Sequence, residues 1–315
     1  MNKKFLGIIG AGYIAEKHLE VINKIKNLEV VAITSRTNTK AKKLAKKFSI
    51  NTVSEDLDDL IKKNYIDAVL ILVPPEEMFS TISRVIKYKI PFFTEKPPSL
   101  NFLELRKLSQ KVKKNNIINM VGYNRRYYST FNKGLEIINN KGKLLGFLIE
   151  GHERFWKVIK SVNKVNRENW LYSNASHTID LIRFFGGEIK NIAINKSSYI
   201  EKNGDQISIS LKFYNNVIGT YISNWYSPGG WSVRLFGEGV TVKIEPLEYA
   251  VWYDEKMKIH SIKKDTNDLK YKPGFYNQMI AFQKLLETGI LEHPAQDLKE
   301  ISKTFNLVKE IINAK

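Results

Sequence analysis

The stretch from Lys4 to Ala15, KFLGIIGAGYIA, decides the fold. Phe5 to Ile9 is a short apolar run, suited to a buried parallel strand. It runs into Gly10-Ala11-Gly12, and from Ile14 and Ala15 a helical pattern continues through His18 or Leu19, Ile22 and Ile25. Strand, glycine turn and helix in that order are the context a dinucleotide fingerprint requires. Gly10 permits a tight turn, and Gly12 lets the backbone approach a pyrophosphate with no side chain between. Ala15 stands where the third glycine often falls, and its methyl group still allows close helix–strand packing. Tyr13 and Ile14 then lie at the helix start, whose free N–H groups and positive dipole end would face the phosphates.

Outward from this stretch the alternation repeats. Strands are expected at Leu28–Ile33, Thr52–Val53, Asp67–Val73, Pro91–Thr94 and Ile117–Gly122. Helices are expected between them at Lys40–Phe48, Asp56–Lys63, Glu76–Tyr88 and from the Asn101 cap to Asn115. That is a Rossmann-type, doubly wound parallel sheet over residues 1–122. Beyond it, helices at Thr130–Asn139 and Ser176–Phe185 are interspersed with long runs of period two: Leu144–Phe155, Ile189–Ile200, Gln206–Tyr214, Val217–Trp225, Trp231–Phe236, Val240–Ile244 and Glu248–Tyr253. Turn signals at Asn203-Gly204, Asn215-Asn216 and Gly237–Gly239 separate some of them. Residues 123–315 therefore read as an α+β domain with a large, mostly antiparallel open sheet, ending in helices at Phe275–Glu287 and Gln296–Asn313. The last helix is a candidate to pack back on the first domain.

Composition narrows the function classes. The chain has 315 residues and no cysteine, which removes disulfides, thiolate metal sites and cysteine nucleophiles. No stretch is long and apolar enough for a membrane span, and the N-terminus breaks at glycines without a cleavage site, so a cytoplasmic location is expected. The formal charge of +18 suggests an anionic partner. Only 9 of the 50 basic residues are arginine, and the lysines scatter over helix faces such as Lys40, Lys42, Lys43, Lys46 and Lys47. That distribution argues for a solvated surface and against a nucleic-acid interface, which favours arginine. Five histidines without ligand spacing argue against a metal.

Further along, Thr94-Glu95-Lys96-Pro97 places a charged pair at the carboxyl edge of the sheet, where such folds bind ligands. Val73-Pro74 precedes it, and Gly122-Tyr123-Asn124-Arg125-Arg126, Ser176-His177-Thr178-Ile179-Asp180-Leu181 and His293-Pro294-Ala295-Gln296-Asp297 follow in order. With these motifs, over essentially its whole length, the chain resembles the glucose–fructose oxidoreductase / inositol dehydrogenase / rhizopine-catabolism (Gfo/Idh/MocA) family. The resemblance implies NAD(P)-dependent oxidation or reduction at a carbon of a sugar, cyclitol or nucleotide-sugar. It implies that Lys96 touches both the reacting oxygen and the nicotinamide ribose, with His177 as partner acid/base and Asp180 one turn on. Lys96 can stabilise a developing alkoxide and relay a proton. Val73, Pro74, Glu95, Asn124 and Arg125 would line the cofactor, while Arg126 would face the substrate. One departure stands out. The family's usual pattern has an aspartate four residues before the histidine and often a glycine between, where this chain has Ser173 and Ala175. Ser173 carries no charge to orient the imidazole, so a catalytically inactive dinucleotide-binding regulatory or sensor protein is the alternative reading.

Cofactor choice rests on Thr34-Ser35-Arg36-Thr37 after the second strand. No carboxylate stands there to grip a ribose diol, and Ser35 with Arg36 suits a 2′-phosphate. NADP(H) is expected ahead of NAD(H); Arg36 stacking on the adenine is the other reading. On the substrate side, His152, Glu153, Arg154 and Trp156 are expected late in the first strand of the second domain, with Trp225 ending another. Aromatic and polar side chains interleaved in this way suit sugar rings. The open sheet is expected to pair two subunits of a homodimer or homotetramer.

Overall fold

In the computed structural model, which describes residues 2–314, the opening apolar run forms β1 (Lys4–Ile9). The glycine turn then feeds α1 (Tyr13–Ile22). The alternation continues through β2 (Leu28–Thr34), α2 (Asn38–Phe48), β3 (Thr52–Val53), α3 (Leu57–Lys63), β4 (Ala68–Ile71), α4 (Pro75–Val85), β5 (Phe92–Glu95), α5 (Phe102–Lys114) and β6 (Asn119–Gly122). Asp56 and Asn101 cap their helices by accepting from the N–H groups of Asp59 and Glu104, which fixes where α3 and α5 start. The six strands pair in the order β3-β2-β1-β4-β5-β6, all parallel. Being covered on both faces, the central strands are apolar without alternation: Ala68 to Ile71 are all fully buried.

The second stretch runs α6 (Ser129–Asn139), β7 (Leu144–Gly151), α7 (Phe155–Ser161), α8 (Lys164–Glu168), α9 (Ser176–Gly186), β8 (Ile189–Ser197), β9 (Gln206–Phe213), β10 (Ile218–Asn224), β11 (Trp231–Gly237), β12 (Val240–Ile244), β13 (Ala250–Tyr253), β14 (Ile259–Ile262), α10 (Thr266–Lys270), α11 (Phe275–Thr288) and α12 (Leu298–Asn313). Its eight strands form one sheet, β14-β13-β12-β11-β7-β10-β9-β8. All neighbours are antiparallel except β7 and β10. Strand β9 shows the one-sided burial: Ile207, Ile209, Leu211 and Phe213 are buried, and Gln206, Ser208, Ser210 and Lys212 are exposed.

Two local readings are corrected. The strand expected over Leu144–Phe155 ends at Gly151, and Phe155 starts a helix instead. Phe155 and Val158 supply a helical spacing there, so Trp156 lies on α7 and not on a strand. Helices α8 and α10 and strand β14 lie where the sequence suggests no element.

The chain divides into two compact units. The first runs to Asn124 and takes in Lys270–Lys303; the second comprises Arg125–Leu269 and the chain from Thr304. The segment 270–303, which includes the start of the last helix that the sequence offers as a candidate to pack on the first domain, is stitched to the first unit by hydrogen bonds. Val121 N–H donates to the Gln296 carbonyl (2.8 Å), and Leu298 N–H to Asn119 Oδ1 (2.9 Å).

Candidate active site

In the first unit, Gly10 turns the chain with φ +114°, and its N–H donates to the Thr34 carbonyl (2.8 Å). A Cβ at this position would run into the backbone carbonyl of Leu72, so the fold itself demands glycine. Gly12 is different. It has ordinary extended torsions (φ −87°, ψ −175°), and a Cβ would meet nothing within 4 Å among the described residues. It is the N-cap of α1 and offers no capping side chain, which leaves the first amides of the helix open to an acceptor. An open approach, bare amides and a helix dipole together fit a dinucleotide pyrophosphate.

Tyr13, the first residue of α1, is exposed, and the ammonium groups of Lys17 and Lys272 each lie 5.5 Å from its ring centroid. Lys272 belongs to the turn before α11, far away in sequence, so nothing in the local pattern pointed to it. The same turn is held by Asn124, whose Nδ2 donates to the Pro273 carbonyl (2.9 Å). At the end of β2, Ser35 Oγ accepts from Thr37 N–H (3.4 Å), and the exposed Arg36 guanidinium pairs with Glu77 of α4. Ile14 follows Tyr13 on α1, while Val73 and Pro74 follow β4, with Pro74 as the N-cap of α4.

Lys96 leaves the end of β5 half-buried, and the Lys96–Pro97 bond is cis. The preceding Glu95 uses both carboxylate oxygens: Oε2 accepts from Lys96 N–H (3.2 Å), and Oε1 lies 2.9 Å from His18 Nε2. His18 is fully buried on α1. The sequence displayed it only as one more member of an apolar helix face.

In the second unit, a π-helical turn over Leu171–Ala175 leads into α9. Such turns are rare and concentrate at functional sites. His177 is buried at the start of α9, and its Nε2 lies 2.7 Å from Arg125 Nη1. A guanidinium only donates, so Nε2 accepts and a neutral His177 carries its hydrogen on Nδ1. The Arg125 guanidinium also sits 5.0 Å from the Trp231 ring centroid, and the Trp231 and His177 rings are 5.9 Å apart. The sequence marks Trp231 only as the start of a strand.

Arg126 and Asp180 bind each other in the core, through Nε–Oδ2 (2.6 Å) and Nη2–Oδ1 (3.0 Å). Ser173 is also buried, and its hydroxyl donates to the Asn166 carbonyl (3.0 Å). Trp225 stacks on Phe155 (4.9 Å between centroids) and donates from Nε1 to Ser223 Oγ (3.0 Å), an arrangement of packing. Arg154 is exposed at the N-cap of α7, and Trp156 is half-buried one residue into that helix. Buried Glu153 accepts from Asn174 Nδ2 at 3.3 Å through each oxygen.

Two family descriptions match this chain: an oxidoreductase family with an NAD-binding Rossmann fold over residues 5–123, and the GFO/IDH/MocA C-terminal domain over residues 153–243. The chain belongs to the GFO/IDH/MocA oxidoreductase family. It is 25% identical to a 4-carboxy-2-hydroxymuconate-6-semialdehyde dehydrogenase from a Sphingobium species over 265 residues, covering 77% of this chain and 82% of that protein. It is 24% identical to the scyllo-inositol 2-dehydrogenase (NAD+) of Bacillus subtilis over 239 residues, covering 73% of this chain and 68% of that one. Among solved structures, a dehydrogenase from Chromobacterium violaceum superposes with a TM-score of 0.83 at 16% identity, over 98% of this chain and 94% of that one.

As a GFO/IDH/MocA oxidoreductase, the chain keeps an NAD-binding Rossmann fold with both glycines of the turn in place. Among the described residues no group of three His, Asp or Glu could hold a metal ion, and no helix is long and apolar enough to cross a membrane.

Proposed function

We propose that this chain transfers a hydride between a nicotinamide cofactor and a carbon of a sugar, cyclitol or nucleotide-sugar. The observation that carries the reading is Lys96, held by its backbone N–H on Glu95 immediately after β5 of an NAD-binding fold. The substrate class is supported by the name of the Bacillus subtilis relative, an inositol dehydrogenase. When bound, the nicotinamide donates or accepts the hydride. Gly10, Gly12, Tyr13 and Ile14 hold the pyrophosphate, Lys272 adds charge beside it, and Asn124 and Arg125 serve the nicotinamide end. Ser35 and Arg36 favour a 2′-phosphate and thus NADP(H). The Lys96 ammonium stabilises the developing oxyanion, and the Nε2 lone pair of His177 takes the hydroxyl proton once Arg125 releases it. Arg154 and Trp156 contribute to substrate contact. The open sheet pairs two copies of the chain, and sedimentation at micromolar concentration giving only monomer would remove that part.

The test is Lys96→Ala. Against a panel of inositols, aldoses and nucleotide-sugars, turnover is expected to fall about 100-fold or more while NADPH or NADH still binds. Unchanged turnover would take Lys96 out of the mechanism.

A further inference from the structure

His18 combines features that an ordinary core residue lacks. It is fully buried on α1, the helix that starts at the glycine turn, yet its Nε2 reaches Glu95 at the far end of β5. A carboxylate only accepts, so Nε2 carries the hydrogen and donates it to Glu95 Oε1. The other ring nitrogen, Nδ1, has no hydrogen-bond partner among the described residues. Its surroundings are aromatic: the Phe275 ring centroid lies 4.6 Å away and that of Phe93 5.2 Å away. A buried polar atom left without a partner costs free energy, and an apolar side chain of similar size would avoid that cost. The Nε2 bond to Glu95 offsets that cost, so the reason for a histidine here lies in what it does to Glu95.

What the donor does is restrain Glu95. With Oε1 on His18 and Oε2 on the Lys96 N–H, the carboxylate cannot turn without losing one of two bonds, of 2.9 and 3.2 Å. Gly122 contributes by absence: a Cβ there would stand 3.2 Å from Glu95 Oε1 and 2.9 Å from the Phe93 ring. A fixed Glu95 fixes the peptide plane from which the Lys96 side chain departs.

We propose that His18 is a positioning residue that, through Glu95, orients Lys96 and ties its placement to the helix beginning at the cofactor turn. This rests on the reading of Lys96 given above. Reactive geometry tolerates displacements of well under an ångström, so a restraint of this kind is felt in turnover more than in affinity.

The test compares His18→Leu, which retains apolar bulk and removes the donor, with His18→Gln, whose side-chain amide can donate toward Glu95. Each full-length variant is measured for melting temperature, for NADH and NADPH affinity by fluorescence titration, and for kcat and KM on whichever panel compound the wild type turns over. The Lys96 amine is followed independently by acetic anhydride labelling across pH, read by mass spectrometry. We expect His18→Leu to lower kcat at least about tenfold, with KM and cofactor Kd within about twofold, and to alter the Lys96 labelling profile; His18→Gln recovers both. Equal impairment of the two variants, or a wild-type labelling profile in His18→Leu, overturns the proposal. If His18→Leu does not fold, Glu95→Gln replaces it and is expected to alter the Lys96 labelling in the same way. Wild-type turnover in Lys96→Ala refutes the catalytic role of Lys96 separately, while the labelling comparison still decides whether His18 places it.

Discussion

Arg126 and Asp180 form a two-bond ion pair in the interior of the second unit, with side-chain exposures of 6% and 1%. Thr304 Oγ1 donates to Asp180 Oδ1 as well (2.9 Å), and the guanidinium lies 5.5 Å from the Phe184 ring centroid. The carboxylate therefore fastens the region of α12 around Thr304 and the segment around Arg126 to α9. Breaking one side of such a pair leaves a buried charge and costs about 3–5 kcal/mol. Asp180→Ala is expected to lose that much in urea denaturation, and Asp180→Leu combined with Arg126→Met to recover most of it. Full stability of Asp180→Ala together with lost turnover would return Asp180 to the chemistry.

Gly10 and Gly12 should respond differently to the same substitution. At Gly10, alanine must adopt φ +114° and push against the Leu72 carbonyl, so the protein itself is expected to lose several kcal/mol. At Gly12 the added methyl meets no neighbour within 4 Å among the described residues, and the melting temperature of Gly12→Ala is expected to stay near wild type. The methyl instead occupies the approach to the α1 amides, so NAD(P)H affinity is expected to fall tenfold or more, by about 1.4 kcal/mol per decade. Fluorescence titration checks this. Wild-type cofactor affinity in Gly12→Ala would place the dinucleotide elsewhere.

The contrast between these glycines shows what a sequence displays and what it hides. The parallel sheet was legible because each of its strands carries its own signal: an apolar run, a turn residue, a helix cap such as Asn101. The open sheet was legible through period two, clearest on β9. What escaped was pairing at long range. Nothing local joins His18 to Glu95, Lys272 to Tyr13, or Arg126 to Asp180, because each partner is chosen by how elements pack. Asp180 stands one turn after His177, and both are buried; what the sequence does not display is that the Asp180 carboxylate is engaged by Arg126. Helix α7 was missed because Phe155 and Trp156 extend an alternating run until the helix breaks it.

The proposed preference for NADP(H) rests on Arg36, whose guanidinium is paired with Glu77. In this structure the guanidinium is paired with Glu77 across an exposed gap, where ion pairs contribute about 0–1 kcal/mol. A 2′-phosphate, with greater charge and a bidentate geometry, should displace the carboxylate. Arg36→Ala is expected to weaken NADPH binding roughly tenfold and leave NADH nearly unchanged. Glu77→Gln is expected to strengthen NADPH binding alone, most visibly at low salt. Tighter NADH than NADPH binding by the wild type would overturn the preference, with the enzyme reading intact.

Buried tyrosines are expected to set the alkaline limit of the second unit. Burial, above all, raises the Tyr221 phenol to about 12, as it does Tyr128, and it pushes Tyr127 higher still. In the unfolded chain these phenols ionise near their ordinary value of about 10. The folded state thus holds protons that the unfolded state has released, so stability is intact below pH 10 and falls as pH rises toward the folded values. Each such group removes up to about 1.4 kcal/mol per pH unit in that window. The 295-nm absorbance step of these tyrosines should therefore coincide with loss of circular dichroism, above the titration of the exposed members of the 15 tyrosines in the chain. Tyr221→Phe gives up the contact with Thr178 Oγ1 (3.2 Å) at neutral pH, but it should make the fall in stability between pH 10 and 12 shallower by one proton. If all tyrosines titrated smoothly near pH 10 with the fold intact, the buried phenols would have to be solvated, and the burial of Tyr221 against Gly151 of β7 and Thr178 of α9 would be wrong.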